Sequence, residues 1–421
     1  MKRVLVITYY WPPTGGSGVQ RWLKFAKHLP SLGWQPVIYT PENPERLASD
    51  ESLLGDIPPE AEVLKTRIIE PYALARKVFG GNAGKGGGLN PVNSQKKSLK
   101  QRLALALRGN LFVPDPRILW IGPSVRFLRK YLKDHPVDAI VSTGPPQSMH
   151  LIGRRLHLAT GIPWIADFRD PWTKMFYFKH LGLSEKTRQK HLAMEKAVLA
   201  DANAIVAVSP RVQADFQQAT GTPVHLITNG FDPEDFARAP RSRSDSKFRI
   251  VHTGMFASDG NPTALWEALA ELPFKNRIEL RLAGKVDSEI IEALKAAGLE
   301  PNLSLLGYIS HEESVEELQN ADLLLLPLRD EPEYSKVLPG KIFEYLAARK
   351  PVLGIGQSDG AAADLLRETG AGIMPGWGEK AQMADFVTKV HNAEFKAQSI
   401  DIERFSRKEL TKRMAELLQS L

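Results

Sequence analysis

The run Val4-Leu5-Val6-Ile7-Thr8-Tyr9-Tyr10-Trp11-Pro12-Pro13-Thr14-Gly15-Gly16-Ser17-Gly18-Val19-Gln20-Arg21 decides the fold class. A short β-branched apolar strand enters a glycine-rich turn, and helical periodicity follows over 20–28. Strand, turn and helix in that order open a parallel sheet wound by helices. The turn brings free backbone N–H groups to a helix start, a setting that suits phosphate or another anion. The bland alternative is that the glycines serve only the tight turn. The spacing is not that of a dinucleotide fingerprint, because Arg21 stands where the third glycine would fall. Nor does the run end in the Gly-Lys-Ser/Thr of a P-loop.

The same rhythm continues along the chain. Apolar, β-branched runs predict strands near 4–8, 36–40, 62–68, 139–142, 164–167, 204–208 and 225–227. A second set falls near 249–253, 279–283, 303–306, 322–326, 351–355 and 372–374, with helical patterns between them. Two successive sets of six or seven strands predict an α/β chain of two Rossmann-like domains. A polar stretch rich in Pro, Arg and Ser over 232–247 reads as the linker between them. The expected boundaries are 1–231, 232–247 and 248–400, followed by a terminal segment, 401–421.

Composition narrows the classes further. The 421 residues carry 24% charged and 43% hydrophobic residues, ordinary values for a globular protein. There is no cysteine, which excludes thiol catalysis, Cys-ligated zinc and iron–sulfur chemistry. A reducing cytoplasm is the expected compartment. The opening Met1-Lys2-Arg3 and the short apolar run after it do not read as a signal peptide, and no run reaches the length of a membrane-spanning helix.

Charge is unevenly placed. Residues 65–134 hold 15 basic and three acidic side chains, a local excess of 12 against +7 for the whole chain. Within this segment, 80–98 contains six glycines and reads as a loop, and 99–108 as a basic amphipathic helix. That helix is either a surface helix packed on its own domain or, with 96–108, a contact to anionic lipid. Nucleic acid is not expected, since neither a recognised module nor basic–aromatic interleaving is present.

Two further stretches carry chemistry. In Trp164-Ile165-Ala166-Asp167-Phe168-Arg169-Asp170-Pro171-Trp172, a buried strand runs into three charges at its carboxyl end, the side on which open α/β sheets bind ligands. A structural Asp–Arg pair is the alternative reading. His150, after the preceding strand and its Ser142-Thr143-Gly144 turn, would share that rim. In Leu338-Pro339-Gly340-Lys341-Ile342-Phe343-Glu344-Tyr345-Leu346, Pro-Gly opens a helix and leaves donors free. Lys341 and Glu344, three apart, share one face. A cation near a phosphate with a carboxylate one turn deeper suits a nucleotide sugar.

Taken together, these motifs resemble the family-4-type retaining glycosyltransferases of the GT-B fold. The carriers also include Thr228-Asn229-Gly230-Phe231-Asp232, Leu306-Gly307-Tyr308-Ile309-Ser310-His311-Glu312-Glu313 and Ala321-Asp322-Leu323-Leu324-Leu325-Leu326-Pro327-Leu328. The resemblance spans the chain and implies a nucleoside-diphosphate-sugar donor and a glycan or lipid-linked acceptor, as in bacterial surface-polysaccharide synthesis. It further implies domains facing across a cleft, a last helix returning to the first domain, a peripheral position on the inner membrane face, and no metal or other cofactor.

Residue by residue, the resemblance assigns Glu344 to the donor ribose and Pro339, Gly340, Lys341 and Ile342 to a diphosphate cradle. Tyr308 and Ile309 would hold the base, and Gly15 and Gly16 face donor phosphates or acceptor. Arg169, Asp170, Asp167 and Lys341 are the expected catalytic groups, with His150 and Trp172 toward the acceptor. Two departures stand out. The first of two family glutamates is Lys336 here, retained as a donor-binding position. The Arg and Lys usual after the second domain's first strand are absent from His252-Thr253-Gly254-Met255-Phe256-Ala257-Ser258-Asp259-Gly260, of which Gly254 is kept as a donor-binding position. Arg329, Lys336 and Lys341 are the candidate replacements. Rival classes are a non-catalytic nucleotide-sugar binder, a GT-B sugar-nucleotide epimerase and, disfavoured by the missing glycine, a nicotinamide-dependent oxidoreductase.

Overall fold

The computed structural model describes residues 1–45, 49–70, 106 and 109–421. The Gly-rich loop expected over 80–98 and nearly all of the basic helix expected over 99–108 lie outside these residues. The chain forms two compact units, Met1–Thr228 with Leu410–Leu421, and Asn229–Glu409.

The first unit holds a seven-stranded parallel sheet in the order β3-β2-β1-β4-β5-β6-β7. Its strands are β1 (Lys2–Ile7), β2 (Trp34–Pro41), β3 (Glu62–Thr66), β4 (Ala139–Gly144), β5 (Trp164–Phe168), β6 (Ala204–Ala207) and β7 (Val224–Leu226). The central strands are covered on both faces, which is why they read as continuous apolar runs. Alternation divides β1 between two cores. Val4 and Val6 pack with Trp22, Phe25 and Met414, whereas Leu5 and Ile7 pack with Trp120, Leu128 and Ile152. Each such fully buried side chain contributes on the order of 1.5–3 kcal/mol. Helix α1 (Ser17–His28) buries Val19, Trp22, Leu23 and Ala26, the spacing of one helical stripe. The terminal helix is Arg407–Gln419, and its Leu410, Met414, Leu417 and Leu418 complete the same core as α1.

The second unit holds a six-stranded parallel sheet, β10-β9-β8-β11-β12-β13. The strands are β8 (Phe248–Thr253), β9 (Ile278–Ala283), β10 (Leu303–Gly307), β11 (Leu323–Pro327), β12 (Val352–Ile355) and β13 (Gly372–Ile373). In each sheet the strand order reverses beside the first strand, at β1/β4 and at β8/β11. Ligand crevices of open α/β sheets lie outside the carboxyl ends of strands at such points.

The stretch 232–247, expected as a linker, belongs to the second unit. Arg243 pairs with Asp322 at 2.9 Å, His311 with Asp235 at 3.0 Å, and Gln319 donates to the Phe236 carbonyl at 3.1 Å. Its polar composition marks paired charges rather than a free connector. Among the described residues, no helix is long and apolar enough to cross a membrane.

Candidate functional site

In the first unit, the carboxyl ends of β1, β4 and β5 gather the expected residues and sort them. Asp167 is fully buried and accepts from Arg21 Nε (3.0 Å) and Nη2 (2.8 Å), Trp22 Nε1 (2.8 Å) and Thr143 Oγ1 (2.9 Å). Burial alone would raise this carboxyl, but the charge and donors of Arg21, with Trp22 and Thr143, outweigh it and hold it below the usual range. Arg21 spends its remaining donors on the carbonyls of Thr228 and Ile227, at 2.7 and 2.9 Å. This corrects the expectation of a catalytic Asp167. Its oxygens are committed and sealed from solvent, so it clamps α1 to β5.

Arg169 is corrected in a similar way. Its guanidinium donates to the carbonyls of Gly18 (2.8 Å), Gly144 (3.4 Å) and Pro145, and lies over the Tyr10 ring. It ties the glycine turn to the ends of β4 and β5, which makes it a positioning residue. Asp170 behaves differently. Half-buried, it accepts no hydrogen bond from any described residue, and burial raises its pKa against the pull of Arg169. The phenol of Tyr177 is raised by burial, with the Asp170 charge as the next cause.

Gly16, exposed and at φ +98°, immediately precedes helix α1, with Gly15 half-buried before it. The two residues expected toward the acceptor lie inside. Trp172 is buried and donates to His191 Nδ1 at 3.0 Å. His150 stacks on Phe168 at 4.3 Å, with Nδ1 2.9 Å from Ser142 Oγ. Burial pushes the His150 imidazole down to about 3, so it is neutral. Both expectations are corrected by this burial: each ring is core rather than rim.

In the second unit the expected donor residues lie at the carboxyl ends of β8 and β10 and on the helix Lys341–Ala347. Only part of the 339–342 cradle has donors to offer. Pro339 has no N–H, and the Ile342 N–H already donates to the Pro339 carbonyl at 3.1 Å, while its side chain is core. The amides of Gly340 and Lys341 have no described acceptor. Lys341 Nζ reaches back to the Gly254 turn, which adopts φ +100°, a backbone that favours glycine. Burial lowers the Lys341 ammonium to about 8, against the pull of Glu344. Glu344 is half-buried one turn on; its carboxylate accepts no hydrogen bond from a described residue and is raised by burial.

The remaining expected positions are less central. Tyr308 is 64% exposed just past β10, beside Ile309, and the Ser310–Glu313 capping box forms as its spacing predicts. Lys336 closes the turn Pro332–Lys336. Arg329, considered as a replacement cation, is paired with Asp259. No group of three or more metal-ligating side chains occurs among the described residues.

Sequence reasoning missed Arg21, Tyr177 and His252. A signal for Arg21 was available, since a cation within the apolar stripe of α1 requires a buried carboxylate.

The description "Glycosyltransferase Family 4" matches residues 88–235, and "Glycosyl transferases group 1" matches residues 247–392. Among solved structures, sucrose-phosphate synthase from Thermosynechococcus elongatus is similar at a TM-score of 0.68 and 15% identity, covering 100% of this chain and 99% of that one. Anabaena HepE in complex with UDP and glucose is similar at 0.63 and 18%, covering 100% of both chains. A UDP-N-acetylglucosamine 2-epimerase, described as putative, from Listeria monocytogenes is similar at 0.58 and 11%, covering 99% of this chain and 96% of that one. No curated protein sequence matches the chain.

Proposed function

Because the chain is a glycosyltransferase of the GT-B fold, belonging to the family-4 and group-1 type, we propose that it moves a sugar, with retention, from a nucleoside-diphosphate sugar to a glycan or lipid-linked acceptor. One observation carries this reading: Lys341 reaches the glycine turn that ends β8, and Glu344, a carboxylate, stands one turn further along the same helix. A departing diphosphate gathers negative charge, and a fixed ammonium in a half-buried site stabilises that charge more than water does. Glu344 accepts hydrogen bonds from the ribose hydroxyls, which favours its ionised form despite burial. Charge on the diphosphate is assigned to side chains and amides, without a metal. The Anabaena relative, solved with UDP and glucose, agrees with such a donor.

In the first unit, Asp170 orients the acceptor hydroxyl. Its raised pKa brings it toward the range in which a carboxylate can take up a proton, although the donor's own phosphate remains the base in this scheme. Asp167 and Arg169 hold the rim on which Asp170 sits. A setting on the inner membrane face rests on the basic excess over 65–134, and the surface-polysaccharide role rests on the family resemblance. Charge reversal at Lys96, Lys97, Lys100 and Arg102 is expected to lower binding to anionic vesicles, and unchanged binding contradicts that setting.

The direct test of transfer is incubation with UDP- and GDP-sugars and lipid-linked acceptors, with the anomeric configuration of the product read by NMR. Retention supports the proposal. Release of free epimerised sugar, the reading that the Listeria neighbour keeps open, overturns it.

A further inference from the structure

We propose that His252 is the positioning residue for Lys341, fixing the ammonium at the Gly254 turn as the cation that meets the donor's diphosphate. The inference rests on the donor-site reading above and deepens it.

The geometry determines which atom donates. His252, the penultimate residue of β8, is 1% exposed, and its Nδ1 lies 3.0 Å from the Leu325 carbonyl on β11. A carbonyl only accepts, so Nδ1 carries the proton and Nε2 presents a lone pair. Lys341 Nζ, which only donates, sits 3.3 Å from that Nε2. The ring is wedged against Phe256, with centroids 4.6 Å apart. Tyr345, on the same helix as Lys341, donates to the same Leu325 carbonyl at 3.3 Å, and its oxygen accepts from the Thr253 amide at 3.2 Å. One carbonyl of β11 thus sets both the imidazole and the helix that carries the lysine.

The result is an ammonium held in place before any ligand arrives. A Cβ built on Gly254 would lie 3.1 Å from Nζ, so the cation occupies the space that a side chain would take. A free lysine has four rotatable bonds to order when it meets a phosphate, and an anchored one has already lost that freedom.

The charged and titratable groups around Lys341 are few. Glu344 faces it from its own helix, and His311, Asp235 and Arg407 act on Glu344 in turn. His252 itself is held down to about 3 by burial first and by Lys341 second, so it stays neutral at working pH. A neutral imidazole adds an acceptor without adding a competing charge, which neither a carboxylate nor a protonated histidine would do. Lys341, near 8, then loses its charge at mildly alkaline pH. Removing the acceptor disfavours the charged form further.

The test uses the full chain and the variants His252→Leu and His252→Gln. Lysine-labelled protein, with the Lys341 signal identified by its loss in Lys341→Arg, gives the Lys341 titration by NMR without ligand. Isothermal titration with UDP and with GDP from pH 6.5 to 9.5 gives the affinity. His252→Leu is expected to lower the Lys341 midpoint by about one unit and to weaken the nucleotide about tenfold at pH 7.5. His252→Gln, which restores an acceptor, is expected to recover most of both. An unchanged Lys341 midpoint in His252→Leu, with UDP or GDP still bound, overturns the assignment and leaves the donor site standing. If neither nucleotide binds the wild type, the donor reading falls and the role of His252 in it falls too.

Discussion

Arg21 Nη2 lies 2.8 Å from Asp167 Oδ1, and both side chains are sealed from solvent, at 1% and 0% exposure. The pair joins residues 146 positions apart and locks the helix behind the glycine turn to the strand that carries the acidic rim. Breaking a buried pair by removing one partner leaves an uncompensated charge and costs about 3–5 kcal/mol. Asp167→Ala is therefore expected to lower the unfolding midpoint in urea strongly.

The next residues along give the opposite pattern. Asp170→Asn touches no described hydrogen bond, so stability is expected to stay within about 0.5 kcal/mol of wild type while kcat falls by about 10²-fold. Urea unfolding and turnover on the same preparations separate the two aspartates. A folded but inactive Asp167→Ala would reverse the assignment.

Gly254→Ala tests the turn. The φ of +100° penalises any Cβ, and the new methyl would meet Lys341 Nζ. Strain of about 1 kcal/mol is expected in thermal unfolding, together with at least tenfold weaker nucleoside-diphosphate binding. Gly16→Ala shares the positive φ but meets nothing within 4 Å, so it is expected to show the strain without the clash at Lys341.

The buried His150 makes acid destabilising. Its folded pKa, about 3, lies below the unfolded value near 6.5, so the unfolded state binds the extra proton. The stability that the neutral ring supplies is complete above about pH 6.5 and is lost as pH falls toward 3, at about 1.4 kcal/mol per unit. Replacing His150 with Asn, which does not titrate, is expected to narrow the stability gap between pH 5.5 and 4.5 by about that amount. An unchanged gap in urea titrations contradicts a buried neutral His150.

The central strands of both sheets were legible in the sequence because β1 with its Val4-Leu5-Val6-Ile7, β5, β6, β11 and β12 are apolar runs buried on two faces. Lys341 and Glu344 were legible as a pair because three positions on a helix is a local distance. The partners that give side chains their roles were not local. His252 lies 89 residues from Lys341, and Arg169 finds its acceptors in two other turns, so a guanidinium at a strand end read as catalytic. The stretch 232–247 looked like a connector because its charges are polar in sequence, although Arg243 and Asp235 meet Asp322 and His311 in space.

The most direct test of the central claim, a nucleoside-diphosphate site built on Lys341 and Glu344, is thermal unfolding with UDP, GDP, CDP, dTDP and NAD, on wild type and Glu344→Ala. One nucleoside diphosphate is expected to stabilise the wild type, by about 2.7 kcal/mol at a hundredfold excess over Kd, and Glu344→Ala to remove the effect. Stabilisation by NAD alone, or by a nucleotide that Glu344→Ala leaves unchanged, would contradict that claim.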